Sequence, residues 1–141
     1  MSETRKHNPT VALIKEVNRL LKEGEPFNVT TDHKGNSGYM PQAVIDSINA
    51  VNFGAWGFEE ISSAEVIRTD KVITYVSQVR VWLSVEGVKL PFQPTAWGDG
   101  TQPLSAPGDA AKSAQTDALK KALSYFSIGN RAYHGKLPPK T

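Results

Sequence analysis

From position 73 to position 86 the chain alternates with a period of two. The odd positions read Ile73, Tyr75, Ser77, Val79, Val81, Leu83 and Val85, and the even ones Thr74, Val76, Gln78, Arg80, Trp82, Ser84 and Glu86. Successive side chains of a strand point to opposite faces, so this pattern specifies a strand with one apolar face to bury. Such a strand needs neighbours, and the flanking sequence supplies them. Residues 61–68 form one, turned back at Thr69-Asp70-Lys71. Residues 88–97 form a third strand, reached through a turn at Glu86-Gly87. Pro91 and Pro94 assign that third strand to a sheet edge, because proline has no N–H to give a ladder. Residues 98–107, rich in glycine and proline, read as a flexible loop.

Helical periods occupy the rest. Asn8-Pro9 is a helix start, followed by Val11, Ile14, Val17, Leu20 and Leu21 at helical spacing and stopped by Gly24 and Pro26. Residues 27–38 read as a polar loop holding His33 and Lys34. Pro41 opens a second helix with Val44, Ile45, Ile48 and Val51 on one side, and residues 53–58 end it and turn the chain. A long helix over 109–126 places Ala111, Ala114, Ala118, Ala122, Tyr125 and Phe126 along one arc. Lys112, Thr116, Lys120, Lys121 and Ser124 take the opposite arc, which makes an amphipathic helix with a basic outer face. The order α-α-β-β-β-α gives an α+β fold, an antiparallel sheet of three to four strands with helices on one face. Residues 1–135 make one domain and 136–141 a basic tail.

Composition narrows the function classes. A chain of 141 residues with no cysteine has no disulfide framework, no thiolate-bound zinc and no thiol nucleophile. No stretch approaches the ~18 apolar residues of a membrane helix, and residues 1–7 are polar and unlike a signal peptide, so an intracellular protein is expected. The net charge of +2 is mild but unevenly placed. After Gly108 stand Lys112, Lys120, Lys121, Arg131, Lys136 and Lys140 against Asp109 and Asp117, so the basic charge collects at one end.

An enzyme is not indicated. His7, His33 and His134 lack metal-ligand spacing, no serine lies in a Gly-x-Ser-x-Gly elbow, and there is no phosphate loop. Glu59 and Glu60 are adjacent, so on a strand they diverge. No metal and no cofactor are expected. Binding of a nucleic acid strand fits better, since a positive groove along the phosphates is what such a partner requires. The final helix offers Lys112, Lys120 and Lys121, with Asp117 one turn before Lys121 as its ion-pair partner. Arg80 in mid-strand, His33 and Lys34 in their loop, and Arg131 within the C-terminal basic charge complete the candidate set. Trp56, Trp82 and Trp97 read as core or interface residues rather than stacking platforms, and Tyr39 likewise.

The segment from Gly108 to Gly129, with Lys112-Ser-Ala-Gln-Thr-Asp117-Ala-Leu-Lys120-Lys121-Ala at its centre, resembles the final helix of a single-strand annealing superfamily, that of Rad52, DdrA and the Sak-type phage proteins. Tyr39-Met40, Val44-Ile45, Asn49, Asn52-Phe53-Gly54, Trp56 and Val79-Arg80-Val81 resemble its other segments, so the likeness runs over about residues 39–131. Gln115, Lys121, Ser124 and Ser127 depart from the pattern, and no arginine precedes Tyr39 in the loop. The resemblance implies an ATP-independent protein that binds single-stranded DNA and anneals strands in repair and recombination, assembled as a homo-oligomeric ring. A single-strand-binding protein or a recombinase would be a further partner. It implies that Lys120 is the main DNA contact, flanked by Lys121 and Lys112, with Arg80, His33 and Lys34 near the groove. A double-stranded-RNA-binding module, a structural oligomer and a metal-dependent nuclease are the rival readings.

Overall fold

The computed structural model describes residues 8–31 and 35–137. The first helix, α1 (Pro9–Glu23), begins where the side chain of Asn8 accepts the N–H groups of Thr10 and Val11 at 3.0 and 3.1 Å. Those donors have no partner inside the helix, and the cap supplies one. α1 buries Leu13, Val17 and Leu21, while Val11 is exposed, so the apolar arc is turned from the expected one. Residues 27–38 are not a plain loop. They hold a small antiparallel hairpin, β1 (Val29–Thr31) and β2 (Ser37–Tyr39), with Val29 opposite Tyr39. Strands of three residues are too short to show a period. α2 (Pro41–Val51) follows directly and buries Val44 and Ile48.

The main sheet is built around β4 (Val72–Val85), the strand with the strict alternation. β3 (Trp56–Arg68) pairs antiparallel along one edge, from Trp56 opposite Leu83 to Arg68 opposite Ile73, and starts five residues before the expected strand. Along the other edge lie β5 (Val88–Lys89) and then β6 (Thr95–Pro103). Pro91 and Pro94 stand in the break between β5 and β6, where the ladder is interrupted, and β6 is an edge strand as expected. The expected flexible loop at 98–107 is wrong over most of its length. Residues up to Pro103 pair with β4, with Gly98 opposite Ser77 and Gly100 opposite Tyr75.

Those glycines are in the strand for a reason outside it. The long helix α3 (Pro107–Ser124) crosses β6 so closely that a Cβ on Gly98 would lie 2.2 Å from the amide nitrogen of Ala118 and 2.6 Å from the carbonyl oxygen of Ala114. A Cβ on Gly100 would lie 2.5 Å from the carbonyl oxygen of Ala110. The helix answers with its smallest side chains, because Ala110, Ala114 and Ala118 recur every fourth residue on one stripe. Leu119, Ala122 and Leu123 carry the buried face onward. The expected arc had the stripe one residue out at its start and placed Tyr125 inside; Ala111 is half-buried and Tyr125 is exposed. A four-residue helix, α4 (Asn130–Tyr133), completes the fold.

The core gathers Leu13, Val17 and Leu21 of α1, Val44 and Ile48 of α2, Val79, Val81 and Leu83 of β4, and the inner face of α3. The fold is α+β with the helices on one face of an antiparallel sheet. The other face of the sheet carries Val76, Gln78, Arg80 and Trp82 of β4 and the exposed Trp97 of β6. Among the described residues no helix is long and apolar enough to cross a membrane.

Placing a methyl group at Gly98 forces backbone against backbone, with no side chain able to yield. Gly98→Ala should destabilise the fold by about 3 kcal/mol, at the upper end for overpacking. Gly108→Ala, where added atoms meet nothing within 4 Å, should be neutral or stabilising by up to about 1 kcal/mol. Chemical denaturation of the two variants beside the wild type measures both.

Candidate nucleic-acid interface

A cleft of about 380 Å³ opens between the β1–β2 hairpin and the far end of α3. Thr30, Ser37, Gly38 and Tyr39 form the hairpin side, Asp117, Lys120 and Lys121 the helix side, and Gly129 and Tyr133 the C-terminal side. Lys120 is the residue that reaches across. Its Nζ donates to the carbonyl oxygen of Tyr39 at 3.2 Å and would lie 3.4 Å from a Cβ on Gly38. This lysine is therefore not on an open outer face of the helix, as its helical position suggested, but half-buried under the hairpin. Burial pushes its pKa below the ordinary lysine value, Asp117 pulls it back up, and Lys121 lowers it further. Its hydrogen bond to Tyr39 ends on a neutral carbonyl and not on a carboxylate.

Lys121 behaves differently. Its Nζ lies 2.9 Å from Asp117 Oδ2, the expected one-turn ion pair. Partial burial lowers its pKa, but the hydrogen bond and charge of Asp117 outweigh that and hold it above the ordinary value. Asp117 has a second task. It accepts the backbone N–H of Asp99 at 3.1 Å, tying α3 to β6 next to Gly98 and Gly100.

The hairpin side of the cleft is fixed by a polar clasp that the sequence did not disclose. The Glu25 carboxylate, just after α1, receives Nε and Nη2 of Arg131, each at 2.8 Å, and the hydroxyl of Tyr39 at 2.6 Å. The Glu25 side chain is only 8% exposed, so this is a desolvated two-pronged pair and not a surface contact. Arg131, expected among the DNA contacts, has its guanidinium engaged here and in a bond to the carbonyl of Lys136. Asn18 of α1 adds a parallel tie, accepting the N–H of Gly129 at 2.7 Å and donating to the carbonyl of Ser127 at 2.9 Å. Glu25, Tyr39 and Arg131 lie far apart in the chain, which is why no local pattern linked them. Glu25 and Asn18 were missed altogether, and Tyr39, read as a packing residue, both packs and bonds.

The other candidates lie elsewhere. Lys112 is exposed in the first half of α3, two turns before Lys120. Arg80 points to the sheet face opposite α3, where its Nη1 meets Glu59 of β3 at 2.5 Å. Trp82, on that same face, lies under the ammonium of Lys89 at 4.1 Å. Trp97 is neither core nor covered, being 56% exposed. Trp56 is half-buried and donates to Asn49 at 2.7 Å. His33, Lys34 and the tail from Pro138 onward lie outside the described residues. The structure thus brings Lys120 and Lys121 together in one cleft, holds Arg131 behind it, and keeps Arg80 and Lys112 apart from it.

The clasp carries a pH signature. Arg131's hydrogen bonds hold the Glu25 carboxyl below the ordinary carboxylate range against the opposing effect of burial, with Tyr39 adding to the pull. A carboxyl lowered by folding stabilises above its unfolded pKa, and that stabilisation fades as pH falls through its folded one. Glu25→Gln should cost about 2 kcal/mol at neutral pH, the scale of a lost charge-assisted pair. The gap between wild type and variant should close on acidification below the ordinary carboxylate range. Urea titrations at several pH values read it directly.

Comparison with known proteins identifies the family. The family model for Rad52/22 double-strand break repair proteins matches residues 14–138, which takes in most of α1, the hairpin, α2, the sheet, α3 and α4. No curated protein matches the chain. A match over nearly the whole length settles the membership: the chain belongs to the Rad52/22 family of double-strand break repair proteins.

Proposed function

We propose that this protein binds single-stranded DNA through the Lys120 cleft and promotes annealing of complementary strands, without ATP and without covalent chemistry. One observation carries the reading. Lys120 holds a half-buried ammonium at the wall of an open cleft, bonded to a neutral carbonyl, with Lys121 beside it. A desolvated positive charge of this kind gains most from an anion that can approach it, and a phosphate diester does so while leaving its base free. Family membership supports the choice of DNA.

Annealing follows from physics that needs no catalyst of bond exchange. Two strands must be charge-neutralised, kept from folding on themselves, and left with bases open to sampling. Contacts restricted to phosphate meet these needs because they do not depend on sequence. One cleft with one or two lysines is a weak site. A ring of copies would align many such sites along one strand, and linked weak sites gain avidity from effective concentration. The ring is part of the proposal for that reason.

Lys120→Ala should weaken binding to an oligothymidylate roughly tenfold and reduce the slope of log affinity against log salt by about 1. Lys112→Ala should do less, because that residue lies outside the cleft. Fluorescence anisotropy across salt concentrations measures both quantities, and particle images with and without oligonucleotide report the assembly. Unchanged affinity and slope in Lys120→Ala would remove the cleft from the account. Tighter competition by duplex RNA than by single-stranded DNA would favour a double-stranded-RNA-binding module instead.

A further inference from the structure

The cleft is not purely ionic. Tyr133, on the short α4, lines it together with Lys120 and Lys121, yet 54% of the residue remains exposed. Partial burial raises the pKa of its phenol and outweighs the lowering by a side-chain hydrogen bond with Ser124 and by the charge of Lys121, while Asp117 adds to the rise. At neutral pH the ring is therefore an uncharged, polarisable surface beside two ammonium groups. A tyrosine used only for packing would bury its ring, as Tyr39 does a short distance away at 2% exposure. Tyr133 is also held firmly for a residue on a one-turn helix. Arg131, two positions earlier, is locked by Glu25, and Gly129, at the start of that turn, by Asn18.

We infer that Tyr133 is a nucleobase-stacking subsite, positioned to receive the base of a nucleotide whose phosphate sits at Lys120. The inference rests on the single-strand reading and adds to it a second kind of contact. Every base has a π-face, so one aromatic ring adds affinity without choosing a sequence. A ring that holds one base per subunit also spaces the bound strand in register with the lysines. Its pairing edge stays open, because stacking uses the face of the base and not its Watson–Crick edge. The rest of the cleft supports the arrangement. Gly38 and Ser37 leave room on the hairpin side, and Asp117 discourages a second phosphate from entering beside Lys121.

The test separates base from backbone. The probes are an oligothymidylate and an abasic oligomer of equal length, which keeps phosphates and sugars but has no bases. Tyr133→Ala should bind the oligothymidylate roughly tenfold more weakly and the abasic oligomer as wild type does. Tyr133→Phe, which keeps the ring, should match wild type on both. Lys120→Ala should weaken both. Equal losses on the two probes in Tyr133→Ala, or no loss on either, would overturn the stacking subsite while leaving the phosphate site standing. Failure of the wild type to bind either probe would overturn the single-strand reading and this inference with it.

Discussion

Two missing side chains set the geometry of this protein. Because Gly98 and Gly100 present bare backbone, α3 settles onto β6 at a distance that no other residue permits, and the alanine stripe of the helix makes use of it. That contact fixes the rotation of α3 about its axis. With Ala110, Ala114 and Ala118 turned to the strand, Lys120 and Lys121 must emerge on the flank that faces the hairpin. Asp117 fastens the same turn to the strand through the amide of Asp99. The position of the cleft's ammonium groups is thus a consequence of backbone packing, in which small shifts are costly.

The second layer is electrostatic and works by division of labour. Three basic residues near the cleft end of α3 have three different fates. Arg131 is spent on a buried carboxylate and gives the hairpin and α4 a common anchor. Lys121 is balanced by a neighbour on its own helix. Lys120 bonds to a carbonyl dipole and feels the charge of Asp117 only through space. A count of lysines and arginines treats these as equivalent. Their surroundings make one a girder, one a flank and one a half-buried ammonium at the wall of the cleft.

Much of this was legible in the sequence, and the failures have physical causes. The strict alternation at 73–85 located β4 to within one residue, because a strand with one buried face leaves little freedom in its pattern. The cap at Asn8 and the final helix were equally readable. The segment 98–103 was misread because glycine usually marks a loop; here it marks a close approach by an element further along the chain, which no local rule contains. The same blindness rotated the expected face of α3. Within the site, Lys120 and Lys121 were found from their helix, but the clasp of Glu25, Tyr39 and Arg131 was not. Arg80 was read as a mid-strand candidate near the groove, and the structure pairs it with Glu59 across the ladder, away from the cleft.

The clasp also bears on how the protein comes into being. Glu25 and Arg131 are separated by 106 positions, so they can meet only after all the chain between them has been made. A ribosome releases the carboxylate and Tyr39 long before their guanidinium partner. Until then the hairpin lacks its ion-pair anchor, and the cleft lacks its C-terminal side. Contacts so distant along the chain carry a larger loop-closure cost than local ones. The cleft's C-terminal side and the clasp that anchors its hairpin side are therefore completed by one short stretch of chain, Gly129 to Tyr133.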